Sequence, residues 1–177
     1  MPRRSPFHSL MRAIVYQQLS GKAAATILGR VMALLPEDDG SHPAALLDIP
    51  FEALRGAGLS RNKLLALKDL AAKTLDGTLP DSIDLQRMTD SEVISCLTEV
   101  RGVGRWTAEM LLIFTLGRPD VLPVTDLGIR KGFQKTYGMK SLPALSTLER
   151  VSLTWAPYRS IAAWYLWRAA DDADAVW

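Results

Sequence analysis

The 177-residue chain is poor in the residues that bind metals and form cross-links. Cys96 is its single cysteine, so no disulfide forms within the chain, and neither a thiolate zinc site nor a four-cysteine iron–sulfur cluster can be built. Its two histidines, His8 and His42, lie far apart in sequence, which speaks against a histidine metal site. Long apolar runs are missing: a run such as residues 110–114 is far too short to cross a bilayer. The basic start at 1–5 is followed by no apolar segment, so no signal peptide is visible and a cytosolic location is the default expectation. Neither sign of charge dominates. A net charge of +2 does not by itself announce a nucleic-acid binder, although a local basic face stays open.

Strand alternation is lacking too, and what remains is helical periodicity. With 48% hydrophobic residues the chain can bury a core, as one domain or as two lobes sharing a groove. An all-α fold of about nine or ten helices is expected. Phe7, Leu10, Met11, Ile14 and Val15 define the first helix, ending near Gln17-Gln18-Leu19. Ser20 caps the second, through Ala24, Ile27, Leu28, Val31 and Leu35, with Pro36 as its stop. Pro43 and Pro50 each suit a first helical position. Ser60 caps a longer helix through Leu64, Leu67, Leu70, Ala71 and Leu75, closed by Gly77 and Pro80. Thr89-Asp90-Ser91-Glu92 and Ser146-Thr147-Leu148-Glu149 read as capping boxes. Cys96 falls on an apolar helix side and is expected in the core. In the last helix, about 158–170, Ile161, Trp164, Tyr165 and Arg168 recur at helical spacing, and most of these aromatics are expected in the core. A basic arm (1–6), a loop (37–41) and an acidic tail (171–177) complete the chain.

Residues 97–131 organise the rest. Gly102-Val103-Gly104 is a glycine turn between two helical patterns, and Asp126 stands before a further helix. An uninterrupted apolar helix, expected to be buried, joins them at 106–114. Taken alone, the turn is an ordinary tight turn and the aspartate an ordinary N-cap. Together, Leu97-x-x-Val100-x-Gly102-Val103-Gly104-x-x-Thr107-Ala108 and Leu122-Pro123-x-x-Asp126 resemble the helix-hairpin-helix plus Gly/Pro-Asp signature of base-excision DNA glycosylases. Phe7-x-x-Leu10-x-Arg12-Ala13-Ile14-Val15-Tyr16-Gln17-Gln18-Leu19-Ser20 and Trp155-x-Pro157-Tyr158-Arg159-Ser160 are similar to the 3-methyladenine DNA glycosylase II branch. The resemblance runs from about Phe7 to Trp167.

The resemblance implies a single helix-hairpin-helix glycosylase domain over 1–177, as two helical lobes with an active-site groove between them. It implies no additional N-terminal β domain. The iron–sulfur loop of some relatives cannot be present. It implies that Asp126 is the catalytic carboxylate, stabilising the positively charged sugar as the N-glycosidic bond breaks. Gly102, Gly104, Arg105 and Thr107 would hold a DNA phosphate through backbone amides and charge. The carbonyls of Thr98, Val100 and Val103 would hold a sodium or potassium ion, with no other cofactor required. Relatives that also cut the backbone carry lysine at position 106. Here it is Trp106, which implies a monofunctional enzyme. Trp106, Tyr158 and Tyr16 would line a pocket for a cationic alkylated base, with Met110 where some relatives have an aromatic residue. Gln18 and Leu19 are either a solvated turn or, as the family implies, a wedge filling the gap left by the everted base. Ser60 and Lys63 either cap a helix or hold a second phosphate. Damaged double-stranded DNA is the expected partner, met by a monomer in the cytoplasm at the nucleoid. The alternatives are a non-catalytic helix-hairpin-helix DNA-binding module, which would not need Asp126, and a glycosylase for another lesion such as hypoxanthine or uracil.

Overall fold

The computed structural model describes residues 5–37 and 42–171. The first four residues of the basic arm, most of the loop (38–41) and the acidic tail beyond Asp171 lie outside the described residues. Among the described residues all regular structure is helical, as expected. The chain divides into two compact units, Met1–Leu111 and Leu112–Trp177.

The first unit contains α1 (Pro6–Tyr16), α2 (Gly21–Met32), α3 (His42–Asp48), α4 (Phe51–Gly56), α5 (Arg61–Leu75), α6 (Ser82–Arg87), α7 (Asp90–Thr98) and α8 (Arg105–Leu111). Its core follows the expected stripes. Phe7, Leu10, Met11, Ile14 and Val15 of α1 are buried with Leu64, Leu67, Leu70 and Ala71 of α5. Ser20 and Ser60 cap α2 and α5 through their side chains, and Thr89 and Glu92 form the full capping box of α7.

Several expectations shift. Helix α2 ends at Met32, before Pro36. Pro43 is the second residue of α3, and Pro50 is the N-cap of α4 rather than its first residue. Leu75, in the last turn of α5, is exposed. Cys96 is half-buried, its thiol donating to the carbonyl of Thr78 at 3.0 Å. His8 and His42, remote in sequence, meet directly: His8 Nε2 lies 2.7 Å from His42 Nδ1. His42 Nε2 lies 2.9 Å from the Pro36 carbonyl, which can only accept. With Nε2 donating to that carbonyl, Nδ1 of an uncharged His42 ring would accept a hydrogen from His8.

Helix α5 carries lysines at five-residue steps, Lys63, Lys68 and Lys73. Each step turns about 140° around the axis, so the three point toward different neighbours. Lys63 donates to the carbonyls of Val15 and Gln17, at the end of α1 (2.8 and 2.7 Å). Lys68 donates to Leu47 and Ile49, at the end of α3 (2.6 Å each). Lys73 donates to Glu99, at the end of α7. The last carbonyls of a helix lack intrahelical donors and carry the negative end of its dipole, so an ammonium group satisfies both needs. Burial pushes the Lys63 and Lys68 amines below their ordinary range. Asp69, on the same helix, accepts from the Arg101 amide at 2.7 Å and so holds the turn after α7.

The second unit begins with a π turn (Leu112–Leu116) and continues through α9 (Leu127–Thr136), α10 (Leu145–Ser152), a 3-10 turn (Leu153–Trp155) and α11 (Arg159–Ala170). Its core is Ile129, Phe133, Leu148, Ala163 and Leu166. The second expected capping box does not form. Helix α10 starts just after Pro143 with Ala144 as its N-cap, which places Ser146 inside the helix. The periodic residues of α11 also fall elsewhere than expected: the aromatics Trp164 and Tyr165 are exposed, as is Ile161, while Ser160, Ala163 and Leu166 face inward. The cause is close approach of α11 to α9. A Cβ on Gly132 would lie 1.8 Å from the backbone oxygen of Leu166, so α11 lies against α9 with backbone close to backbone, and the face carrying Trp164 and Tyr165 is turned away.

Gly132→Ala is therefore expected to destabilise the protein by about 3 kcal/mol or more, read by urea unfolding. Gly29→Ala, inside α2 where a Cβ meets nothing, should instead stabilise it by up to about 1 kcal/mol. Equal effects at the two positions would contradict the close-packing account.

Candidate functional site

Two turns of the first unit present backbone to the outside. Between α7 and α8, Gly102 takes φ +78°, a left-handed conformation that favours glycine. At Gly104 a Cβ would meet nothing in the chain. Glycine there answers no internal packing need and leaves open space beside the first amides of α8. Trp106 is 47% exposed, Arg105 is exposed, and Met110 is half-buried. The Thr107 side chain is buried, because position 107 turns inward with Ala108 and Leu111, so what it can offer at this helix start is its backbone amide. The joining helix is thus buried on one face only, with Trp106 and Phe114 on the outside. Arg105 Nε donates to Glu109 at 2.8 Å, which holds the guanidinium at the surface over an otherwise buried carboxylate.

The second turn follows α1. Gln18 adopts φ +57°, uncommon for a residue with a Cβ, and Gln18 and Leu19 are exposed. Gln17 was no candidate on sequence. Its side-chain amide donates to the Gly102 carbonyl at 2.9 Å and ties this turn to the hairpin turn. Lys63 is turned inward to the end of α1, and Ser60 Oγ accepts the Lys63 amide as a cap. Tyr16 is half-buried, with the Arg12 guanidinium 3.9 Å from its ring centroid and bonded to its hydroxyl.

In the second unit, Asp126 is the N-cap of α9. Its Oδ1 accepts from the Ile129 amide and from Trp167 Nε1, each at 2.8 Å. Trp167 in turn stacks on Phe114 of the π turn, with ring centroids 5.8 Å apart. Neither aromatic was legible as a site residue: Trp167 stands 41 positions from Asp126 and belongs to no local pattern. Gly128 makes room for the bond, because a Cβ there would lie 2.9 Å from Trp167 Cδ1 and 3.1 Å from Asp126 Oδ1. Tyr158, the residue before α11, is 59% exposed.

The carbonyls proposed for a monovalent ion can be tested for fit. Among the described backbone bonds outside helices, Val100 O accepts from the Val103 amide at 3.0 Å, and none ends on Thr98 O or Val103 O. Carbonyl oxygens of this kind suit a hard monovalent cation, so the donor set fits.

The loop before Asp126 is braced from α11. Asp120 receives both Arg159 Nε and NH2 at 2.7 Å, and Ser160 Oγ accepts the Val121 amide at 2.9 Å. The Arg159 hydrogen bonds hold the Asp120 carboxyl below the usual carboxylate range, against the opposite pull of burial. This explains why the nearby Asp120 is a brace and not a rival to Asp126. Because its folded pKa is depressed, its contribution is present above the unfolded value, about 4, and lost as pH falls through the folded one. Asp120→Asn should lower stability near neutral pH by about 1 kcal/mol, modest because the pair is partly exposed. The gap to wild type in urea unfolding should shrink below about pH 4; a gap independent of pH would contradict the ion pair.

Residues 11–157 match the family of HhH-GPD superfamily base excision DNA repair proteins. The chain is 38% identical over 174 residues to DNA-3-methyladenine glycosylase 1 of Schizosaccharomyces pombe, covering 98% of this chain and 76% of that protein. Among solved structures it is similar to the Schizosaccharomyces pombe 3-methyladenine DNA glycosylase Mag1 in complex with abasic DNA. That match has a TM-score of 0.85 at 37% identity, covering 100% of this chain and 86% of that one. A DNA-3-methyladenine glycosidase from Bacillus halodurans matches with a TM-score of 0.84 at 40% identity, over 94% of this chain and 76% of that one. With the glycine hairpin and the capping aspartate in place, the chain belongs to the HhH-GPD superfamily of base excision DNA repair proteins.

Proposed function

We propose that this chain is a monofunctional DNA glycosylase. It everts an alkylated purine such as 3-methyladenine from duplex DNA and hydrolyses its N-glycosidic bond, leaving an abasic site. The observation that carries the reading is the Asp126 carboxylate, with one oxygen anchored by a helix amide and an indole N–H. Breaking the bond to the base leaves positive charge on the deoxyribose. A carboxylate already oriented stabilises that charge without reorganising, and can align or deprotonate the attacking water. The start of α9 favours the ionised form.

The first unit supplies grip and base recognition in this reading. The amides around Gly104, free of any Cβ, accept a phosphate irrespective of sequence, and Arg105 adds charge. Bound at the carbonyls of Thr98, Val100 and Val103, a sodium or potassium ion would add positive charge toward that phosphate. The exposed indole of Trp106 suits a cationic alkylated base, whose charge also makes it a good leaving group. Met110 is a further candidate on the first unit, and Tyr158 is the candidate that the second unit contributes. Tyr16 is a weaker one, since the Arg12 cation already covers its ring. Position 106 offers no amine, so water is the nucleophile. A monomer acting in the cytoplasm at the nucleoid follows from this reading alone.

Duplex DNA carrying 3-methyladenine or 7-methylguanine should lose the base, with strand scission only after heat or alkali. Asp126→Asn, which keeps an oxygen for both N–H donors, should slow release by about 10²–10³-fold or more. Borohydride should trap no protein–DNA adduct. Undiminished release by the variant would remove Asp126 from the chemistry, and a trapped adduct would overturn the monofunctional mechanism.

A further inference from the structure

We propose that Lys63 is a positioning residue for base eversion: it grips the end of α1 and so holds the turn at Gln17-Gln18-Leu19 in its DNA-facing shape. The proposal rests on the glycosylase reading above and assigns a role within it. Three observations meet here. The Lys63 ammonium donates to the carbonyls of Val15 and Gln17, the last residue of the α1 core stripe and the helix C-cap. The next residue, Gln18, sits at φ +57°, a conformation that an L residue with a Cβ holds only when its surroundings enforce it. Gln17 then passes the constraint on, its side-chain amide bonding the Gly102 carbonyl of the hairpin turn.

The hairpin turn is held from the same helix. Asp69 of α5 accepts the Arg101 amide, and Lys73 of α5 donates to Glu99. Both turns facing DNA in this reading are thus fastened to α5, one through Lys63 and one through Asp69 and Lys73. A wedge entering the space of an everted base must resist the stack closing on it. A two-residue tip with no brace would yield, whereas a tip anchored at its root does not. This role differs from phosphate binding, in which the ammonium would face outward and release counterions.

The test compares Lys63→Met with wild type on one 7-methylguanine lesion in two duplexes. In one the lesion faces cytosine; in the other it faces an abasic-site analogue, where no pair has to open. Single-turnover release should fall at least ten-fold in the paired duplex and less than three-fold in the unpaired one. Fluorescence of a 2-aminopurine beside the lesion should show less eversion in the paired duplex. The slope of log binding constant against log salt should be unchanged, whereas a phosphate-binding lysine would make it shallower by about 1. Gln17→Ala, a change at the surface, should show the same context-selective loss, and it answers the question if Lys63→Met does not fold. Equal losses in both duplexes, no loss in either, or a shallower salt slope would overturn the proposal while leaving the glycosylase reading standing. A wild type that releases no base from either duplex would overturn the glycosylase reading itself, and this inference with it.

Discussion

Two N–H donors converge on a single oxygen of Asp126, one from the amide of its own helix and one from an indole 41 residues away. The first is an ordinary N-cap, a contact that stabilises a helix by about 1 kcal/mol. The second makes the side chain a fixed object. It can form only because α9 and α11 approach to backbone contact, and that approach needs glycine at 132. At 128 the absence of a Cβ keeps the indole and the carboxylate in reach of each other. Arg159 and Ser160 then brace the loop that leads to Asp126. The second unit is in this sense built around the direction of one carboxylate, and its small residues matter as much as its acid.

The first unit solves a different problem. A protein with a net charge of only +2 cannot rely on a broad cationic face to hold DNA. Its α5 lysines point inward to helix ends, where they fix the positions of turns. In the proposed reading the grip falls to backbone amides at glycine and to Arg105, which read no sequence. That suits an enzyme that must search every sequence for rare damage.

Much of this was legible in the sequence because it is local. Caps such as Ser20, Ser60 and Thr89 declare themselves within three or four residues, and the spacing of Gly102, Gly104 and Asp126 carries the family signature. What failed was non-local. The Ser146 box has the right letters, yet the helix begins earlier, just past Pro143. Trp164 and Tyr165 have core-like periodicity, but backbone contact at Gly132 sets their helix so that Ser160, Ala163 and Leu166 face in. The inward bonds of Lys63 were not legible either, because its carbonyl partners lie 46 and 48 residues away. Trp167 could not be singled out, since nothing in a one-dimensional pattern marks an indole that reaches a distant carboxylate.

The central claim is that Asp126 recognises positive charge at the sugar. Binding of two abasic-site analogues tests it without any chemistry: one with a cationic nitrogen in the ring near the anomeric position, the other an uncharged ring of the same shape. Wild type should bind the cationic analogue about 100-fold more tightly, and Asp126→Asn should lose that preference while still binding the neutral one. Equal affinity of wild type for the two analogues, or a preference that survives in the variant, would contradict the account.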